Sequence, residues 1–420
     1  MNQALFLDLK QQINERLDLS HTVSDTRLME LIEEAVFSIS VEQDWTSSEM
    51  HEGVKRLFNS FRGLDILQPL IDDPSVTEIM VNGHENIFFE QKGGVERYSY
   101  AFESEAKLED LIQMIVSKVN RIVNQGSPIV DARLKDGSRV NVVLPPASLS
   151  GPTLTIRKFP DKPMLMDDLI RLGTISEEAA ELLQIMVQAG FNIFIGGGTG
   201  SGKTTFLNAL GAWIPRDERI ITIEDSAELQ IQTVPNLVRM ETRNANTEGK
   251  GDISIRDLIR ASLRMRPNRI IVGEVRGAEA LDMLAAMNTG HDGSLSSGHA
   301  NSSSDMLSRL ETMVLSGASL PVEVSRKQIA SALDVMIHIS RIRDRTRKVT
   351  EIHEVLGVVN GEVQLHPLFV FEESGETNDL RVIGKLTYTG NRLHNMHKIR
   401  MAGLQLPTWI VKSEEAGGIS

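Results

Sequence analysis

The run Gly197-Gly-Thr-Gly-Ser-Gly-Lys-Thr204 constrains this chain more than any other stretch. It stands directly behind the apolar segment Phe191-Asn-Ile-Phe-Ile195 and ahead of a helix former, Phe206-Leu-Asn-Ala-Leu210. A buried strand, a glycine-rich turn and a helix in that order make a phosphate loop. Glycines let the backbone wrap a polyphosphate with successive N–H groups turned inward, and the helix N-terminus adds its partial positive charge. Gly197, Gly198, Thr199, Gly200, Ser201, Gly202, Lys203, Thr204 and Thr205 are therefore the expected nucleotide-binding residues. Lys203 is expected on the β/γ-phosphates and the Thr204 hydroxyl on Mg²⁺, so the implied ligands are ATP or GTP with Mg²⁺.

A chain of 420 residues has room for two or three domains. From residue 1 to 67, Leu5, Leu9, Ile13 and Leu17 recur at four-residue steps, and Leu28, Leu31, Ile32, Ala35 and Ile39 continue the theme, which predicts a small helical bundle for docking or oligomerisation. From 68 to 160 apolar stretches alternate with turns: Thr77 to Val81, Asn86 to Glu90, Arg139 to Leu144 and Thr153 to Arg157 read as strands, and Leu108 to Val123 as an amphipathic helix. That is an α+β domain. Residues 161–175 read as a linker with a short helix, 176–412 as an α/β domain and 413–420 as a flexible tail. In the α/β part, apolar runs at Asn192 to Ile195, Arg219 to Ile223, Asn236 to Met240 and Arg269 to Val272 alternate with helices. This predicts a mostly parallel sheet with ligands at the carboxyl ends of its strands. No stretch of 18 apolar residues and no leader-like start occurs, which suggests a cytoplasmic protein that meets a membrane through partners.

Two strands end in acids. Thr222-Ile-Glu-Asp-Ser-Ala-Glu-Leu229 offers Glu224, Asp225 and Glu228 to the magnesium shell or the attacking water, or as a solvated acidic turn. Arg269-Ile-Ile-Val-Gly-Glu274 places Gly273 where a magnesium-holding aspartate is commonest, so the ion is left to Thr204, phosphate oxygens and, through water, Glu224; Glu274 is the candidate for positioning water. Farther on, His291 and His299 lie in glycine- and serine-rich sequence. With no cysteine and no third ligand beside them, zinc is a poor reading; sensing of the γ-phosphate, holding a mobile loop, or packing are the alternatives.

Taken together, the phosphate loop, Ile223 to Leu229, Leu263-Arg-Met-Arg-Pro-Asn-Arg-Ile-Ile-Val-Gly-Glu-Val-Arg-Gly277, and Thr289-Gly-His-Asp-Gly293 through His299-Ala-Asn301 resemble the type II/IV secretion ATPases. Val76 to Gly83, Pro128 to Asn141 and Met283 to Gly290 make the chain most similar to the ATPases of tight-adherence (Tad/Flp) pilus assembly, with the likeness running from about residue 60 to about 357. The resemblance implies a RecA-like ATPase domain behind a PAS-like α+β domain, a homohexamer, and inner-membrane platform proteins as partners. It implies arginines delivered to the phosphates: Arg133 and Arg139 upstream, with Arg239 and Arg243 after the acidic box. Ser297-Gly298 replaces a more usual threonine ahead of His299, which ranks His291 first of the two histidines. Two rivals stand beside the motor: a module that docks partners when nucleotide orders it, and a DNA-translocating motor. Against the latter stand 57 acidic to 44 basic side chains and the lack of a basic, aromatic-interleaved stretch, so no direct nucleic-acid partner is expected.

Overall fold

The computed structural model describes residues 3–17, 23–91, 93–118, 122–134, 136–159, 163–243, 245 and 250–410. The stretch 413–420, read as a flexible tail, lies outside the described residues. The chain divides into two units, Met1–Asp161 and Lys162–Ser420.

The first unit opens with helices α1 (Gln3–Arg16), α2 (Asp25–Glu42) and α3 (Ser47–Arg62). Their apolar stripes meet in a core of Phe6, Leu9, Ile13, Leu28, Ile32, Val36 and Leu57. Side chains cap the starts: Ser24 accepts the Arg27 N–H, and Thr46 with Glu49 forms a reciprocal capping box, each satisfying N–H groups that a helix end leaves open. After the short α4 (Gln68–Asp72) come β1 (Val76–Asn82), β2 (Ile87–Gln91), β3 (Gly94–Arg97), α5 (Glu105–Ser117), β4 (Ile129–Arg133), β5 (Arg139–Val143) and β6 (Thr153–Arg157). The strands form one sheet in the order β3-β2-β1-β6-β5-β4, with every neighbouring pair antiparallel. One face carries Ile79, Val81, Val140, Val142, Leu154 and Ile156 against Leu108, Ile112 and Ile115 of α5. The helix stops at Ser117, short of the expected Val123, although Val123 is itself buried in the same core.

The second unit begins earlier than the periodicity suggested. The stretch read as a linker with a short helix carries that helix as α6 (Met166–Arg171), and Met166, Leu169 and Ile175 are buried in this unit's core. There follow α7 (Glu177–Gln188), β7 (Ile193–Gly197), α8 (Lys203–Gly211), β8 (Ile220–Glu224), β9 (Leu237–Glu241), α9 (Ile255–Ser262), β10 (Arg269–Val272), α10 (Glu279–Met287), β11 (Leu295–Gly298), α11 (Ser303–Gly317), α12 (Val322–Ala332), β12 (Val335–Arg341), β13 (Arg347–Val359), β14 (Glu362–Glu376), β15 (Val382–Tyr388) and α13 (Met396–Met401). They build a nine-stranded sheet ordered β15-β14-β13-β12-β7-β11-β10-β8-β9. From β12 to β9 all pairs are parallel, and β7, β8, β10 and β11 are buried along their whole length, as strands covered by helices on both faces must be. The long β13, β14 and β15 extend the sheet in antiparallel fashion, an element that the expectation of alternating strands and helices did not contain.

Candidate functional site

The carboxyl ends of the parallel strands gather the chemistry. Strand β7 runs into the loop, where Gly200 and Gly202 take φ of +70° and +98°, a left-handed backbone that side chains resist. Gly202 is the N-cap of α8, and an added Cβ there would lie 3.2 Å from Arg347 Cδ. Gly198, Thr199 and Gly200 are exposed, whereas Ser201 and Lys203 are buried, so the loop presents backbone outward over a packed base. The Lys203 ammonium donates to Gly197 O (3.1 Å) and Gly198 O (3.0 Å) and lies 3.4 Å from His299 Nδ1. Burial holds its pKa below the usual lysine range, with the Glu274 carboxylate opposing. A cation held by the loop's own carbonyls beside His299 fits a polyphosphate guest, and the buried Ser201 Oγ has no partner among the described residues.

From Lys203 a chain of contacts crosses the sheet. His299 sits just past β11; its Nε2 is 2.5 Å from Glu274 Oε1, a close contact without the alignment of a hydrogen bond and an ion pair only when the imidazole is protonated. Burial, reinforced by Lys203, lowers the His299 pKa and outweighs Glu274. Arg276 Nη2 donates to Glu274 Oε2 (2.7 Å) and its Nη1 to Asp225 Oδ2 (3.2 Å). Lys203, His299, Glu274 with Arg276, and Asp225 thus stand at the ends of β7, β11, β10 and β8, four neighbours in sheet order.

Glu224 ends β8 and is buried. Its Oε2 accepts the N–H groups of Glu228 (2.7 Å) and Leu229 (2.9 Å), while Oε1 is buried with no partner among the described residues. Desolvation raises its pKa to about 7 against those two hydrogen bonds. Gly273 explains itself here: a Cβ would lie 2.9 Å from Glu224 Cγ, so the position usual for an aspartate is left empty to seat this glutamate. Glu228 is half-buried on the same turn. Arg239 Nη2 donates to Ala227 O (3.3 Å), beside the acidic turn, whereas Arg243 Nε donates to Gly251 O (2.6 Å) and its backbone bridges Ile253. An orphaned carboxylate oxygen near the loop strands suits a hydrated Mg²⁺.

Register separates the histidines. His291 precedes β11, at the amino edge of the parallel strands, and its Nδ1 is 3.1 Å from Ala286 O; His299 alone of the two contacts Lys203. The ranking that puts His291 first is corrected by the length of one buried strand. In the first unit Arg133 pairs across with Arg139, and Arg139 with Arg157, which puts three guanidinium-bearing positions in a row across β4, β5 and β6. The sequence does not mark Arg157 as a site residue, nor Arg347, whose Nε donates to Gly200 O (3.0 Å). Neither has a local motif; Arg347 stands in a basic run after β12 that by itself reads as solvated charge. Beside the loop, Leu169, Leu172, Thr205, Phe206, Ile339 and Arg347 line a cavity of about 190 Å³.

Comparison with known proteins identifies the family. The profile of the family described as Type II/IV secretion system protein matches residues 61–375. A putative conjugal transfer protein of Mycobacterium tuberculosis is 35% identical over 323 residues, covering 76% of this chain and 91% of its own. The type IV secretion system protein VirB11 of Brucella suis is 32% identical over 328 residues, covering 71% and 91%. Among solved structures, the pilus retraction motor PilT with bound ADP shares the fold at a TM-score of 0.50 and 18% identity, over 83% of this chain and 89% of its own. The chain belongs to the type II/IV secretion system protein family and is an ATPase.

Proposed function

We propose that this ATPase is a hexameric motor that hydrolyses ATP to drive assembly, with retraction as the alternative direction, of a Tad/Flp type IV pilus or a related secretion process through an inner-membrane platform protein. The observation that carries the hydrolytic part is the unbroken set of contacts from Lys203 through His299, Glu274 and Arg276 to Asp225. In this reading the loop from Gly197 to Thr205 binds the phosphates of ATP, and the apolar cavity beside Phe206 takes the base. Thr204, and Glu224 through water, hold Mg²⁺, which neutralises charge that develops on the phosphates. Glu274 positions the water, His299 responds to the phosphate state, His291 at the other edge holds its own loop, and Glu228 supports the acidic turn. Arg133 and Arg139, with Arg239 and Arg243, supply the positive charge that phosphoryl transfer demands.

The RecA-like and PAS-like assignments, the ring and the tight-adherence branch are supported by the motif stretches from Val76 to His299. Among the described residues no helix is long and apolar enough to cross a membrane. The proposed place is the cytoplasmic face of the inner membrane, reached through partners, and a net charge of -13 fits a protein without a nucleic-acid partner.

The test separates binding from turnover. Lys203→Ala is expected to abolish hydrolysis and weaken nucleotide binding, and Glu274→Gln to keep binding while turnover falls about 10²-fold or more. Phosphate release at wild-type rate from Glu274→Gln would remove Glu274 from the water. Light scattering with and without ATP reads the ring, and complementation of pilus assembly by the same variants reads the coupling.

A further inference from the structure

We propose that Glu354, His366 and His394 form a site for a divalent transition-metal ion of the zinc class, separate from the nucleotide site. Strand pairing sets two of the ligands: Glu354 on β13 lies directly opposite His366 on β14, so both project from one face. The third, His394, comes after β15, next to the buried Leu393. One donor atom from each lies within 4.8 Å of the other two. His394 Nδ1 is already 3.2 Å from Glu354 Oε2, against a spacing of about 3.3 Å between ligands of a tetrahedral zinc with bonds near 2.05 Å.

The donor chemistry is two imidazoles and one carboxylate, which suits zinc and its neighbours rather than Mg²⁺ or Ca²⁺ and leaves a fourth position for water. The surroundings hold the ligands in place as an outer shell does. Glu354 Oε1 accepts the Asn395 N–H (2.6 Å), and His366 Nε2 is 3.1 Å from Arg392 O. The two rings stand edge to face with centroids 4.7 Å apart. Glu354 is only 1% exposed while the His394 side chain is 53% exposed, so the carboxylate is fixed and the entry is open to solvent. Anchoring the backbone of 394 and 395 accounts for the carboxylate but not for two imidazoles gathered onto it.

Glu354 pairs with Val335, the first residue of β12, and Val335 with Ile193, the first of β7. The cluster therefore lies at the amino edge of the parallel strands, opposite the phosphate loop. An ion there staples the segment carrying Leu393, Ile399 and Ile410, all buried in the main core, onto β13 and β14.

The test uses the full chain stripped of metal by a chelator. Zn²⁺ titrated by calorimetry is expected to bind at one saturable site per chain and to raise the thermal midpoint, and Co²⁺ to give the intense visible absorption of a tetrahedral site. His366→Ala and His394→Ala should each weaken Zn²⁺ by about 10-fold or more, with ATP hydrolysis unchanged. Equal Zn²⁺ affinity in the parent and the His366→Ala/His394→Ala double variant, or no saturable binding by the parent, would overturn the site. Should an alanine variant unfold, His366→Gln and His394→Gln read the same loss.

Discussion

The two sheets of this protein solve opposite problems. In the nine-stranded sheet, β7, β8, β10 and β11 are buried end to end; β7, β8 and β10 read as largely apolar runs, β11 as the small, polar Leu295-Ser-Ser-Gly298, and the chemistry is pushed to the residues just beyond each strand. In the six-stranded sheet, β5 and β6 alternate buried with more open positions, and polar side chains such as Arg139 and Arg157 lie across from one another within the strands. Function written at strand ends forms contiguous motifs. Function written along strands forms rows visible only once the register is known.

The largest effect that could break this contrast concerns the arginine row. Arg139 is only partly buried on β5, so Arg139→Ala is expected to leave folding intact. Turnover at saturating ATP should fall about 10³-fold, about 4 kcal/mol of transition-state stabilisation. Wild-type turnover would make the row part of the framework alone.

Next comes Glu224. Its carboxyl titrates near 4.5 in the unfolded chain and near 7 when folded, because burial disfavours the charge. The unfolded state therefore releases its proton first, and stability that is whole below about pH 4.5 drains away as pH rises through 7. Between pH 4 and 8 the parent should lose about 3 kcal/mol relative to Glu224→Gln, read from denaturant midpoints. Parallel curves for the two proteins would mean that Glu224 is ionised when folded.

Gly273→Ala is smaller. The added methyl would press on the Glu224 side chain, and overpacking of this kind costs about 2 kcal/mol. An unchanged midpoint would show that Glu224 has room to move.

The smallest expected effect is on hydrolysis after removal of residues 1–60. The helices have their own core, with Lys10–Glu103 and the Arg56 guanidinium over Tyr100 as ties to the rest of the unit. Hydrolysis is expected to persist while pilus assembly is lost. An aggregated or inactive product would make the helices a cap for the sheet rather than a docking element.

Legibility tracked chain distance. The loop, Glu224 and Glu274 were readable because each sits beside a buried strand whose apolar run announces it, whereas His299 follows Leu295-Ser-Ser-Gly298, which carries no such run. Arg347 was not: it reaches Gly200 from a strand far along the chain, and nothing in its neighbourhood marks it. Likewise the antiparallel extension β13 to β15 escaped a reading based on alternation, and the boundary near residue 162 moved because Met166 and Leu169 turned out to have a core to enter.

The sequence by itself determined that a glycine-rich loop would join a buried strand to a helix, since the left-handed backbone at Gly200 and Gly202 is a property of those residues. It determined β7, β8 and β10 as well, because their burial is met by largely apolar runs, but not β11 and β12, the two neighbours of β7 in the sheet. Only the tertiary structure decided which histidine stands over Lys203, why Gly273 must be small, and that Arg133, Arg139 and Arg157 share a row. Those depend on register and on side chains arriving from distant strands, and pairing between strands is set by the whole sheet rather than by any segment of it.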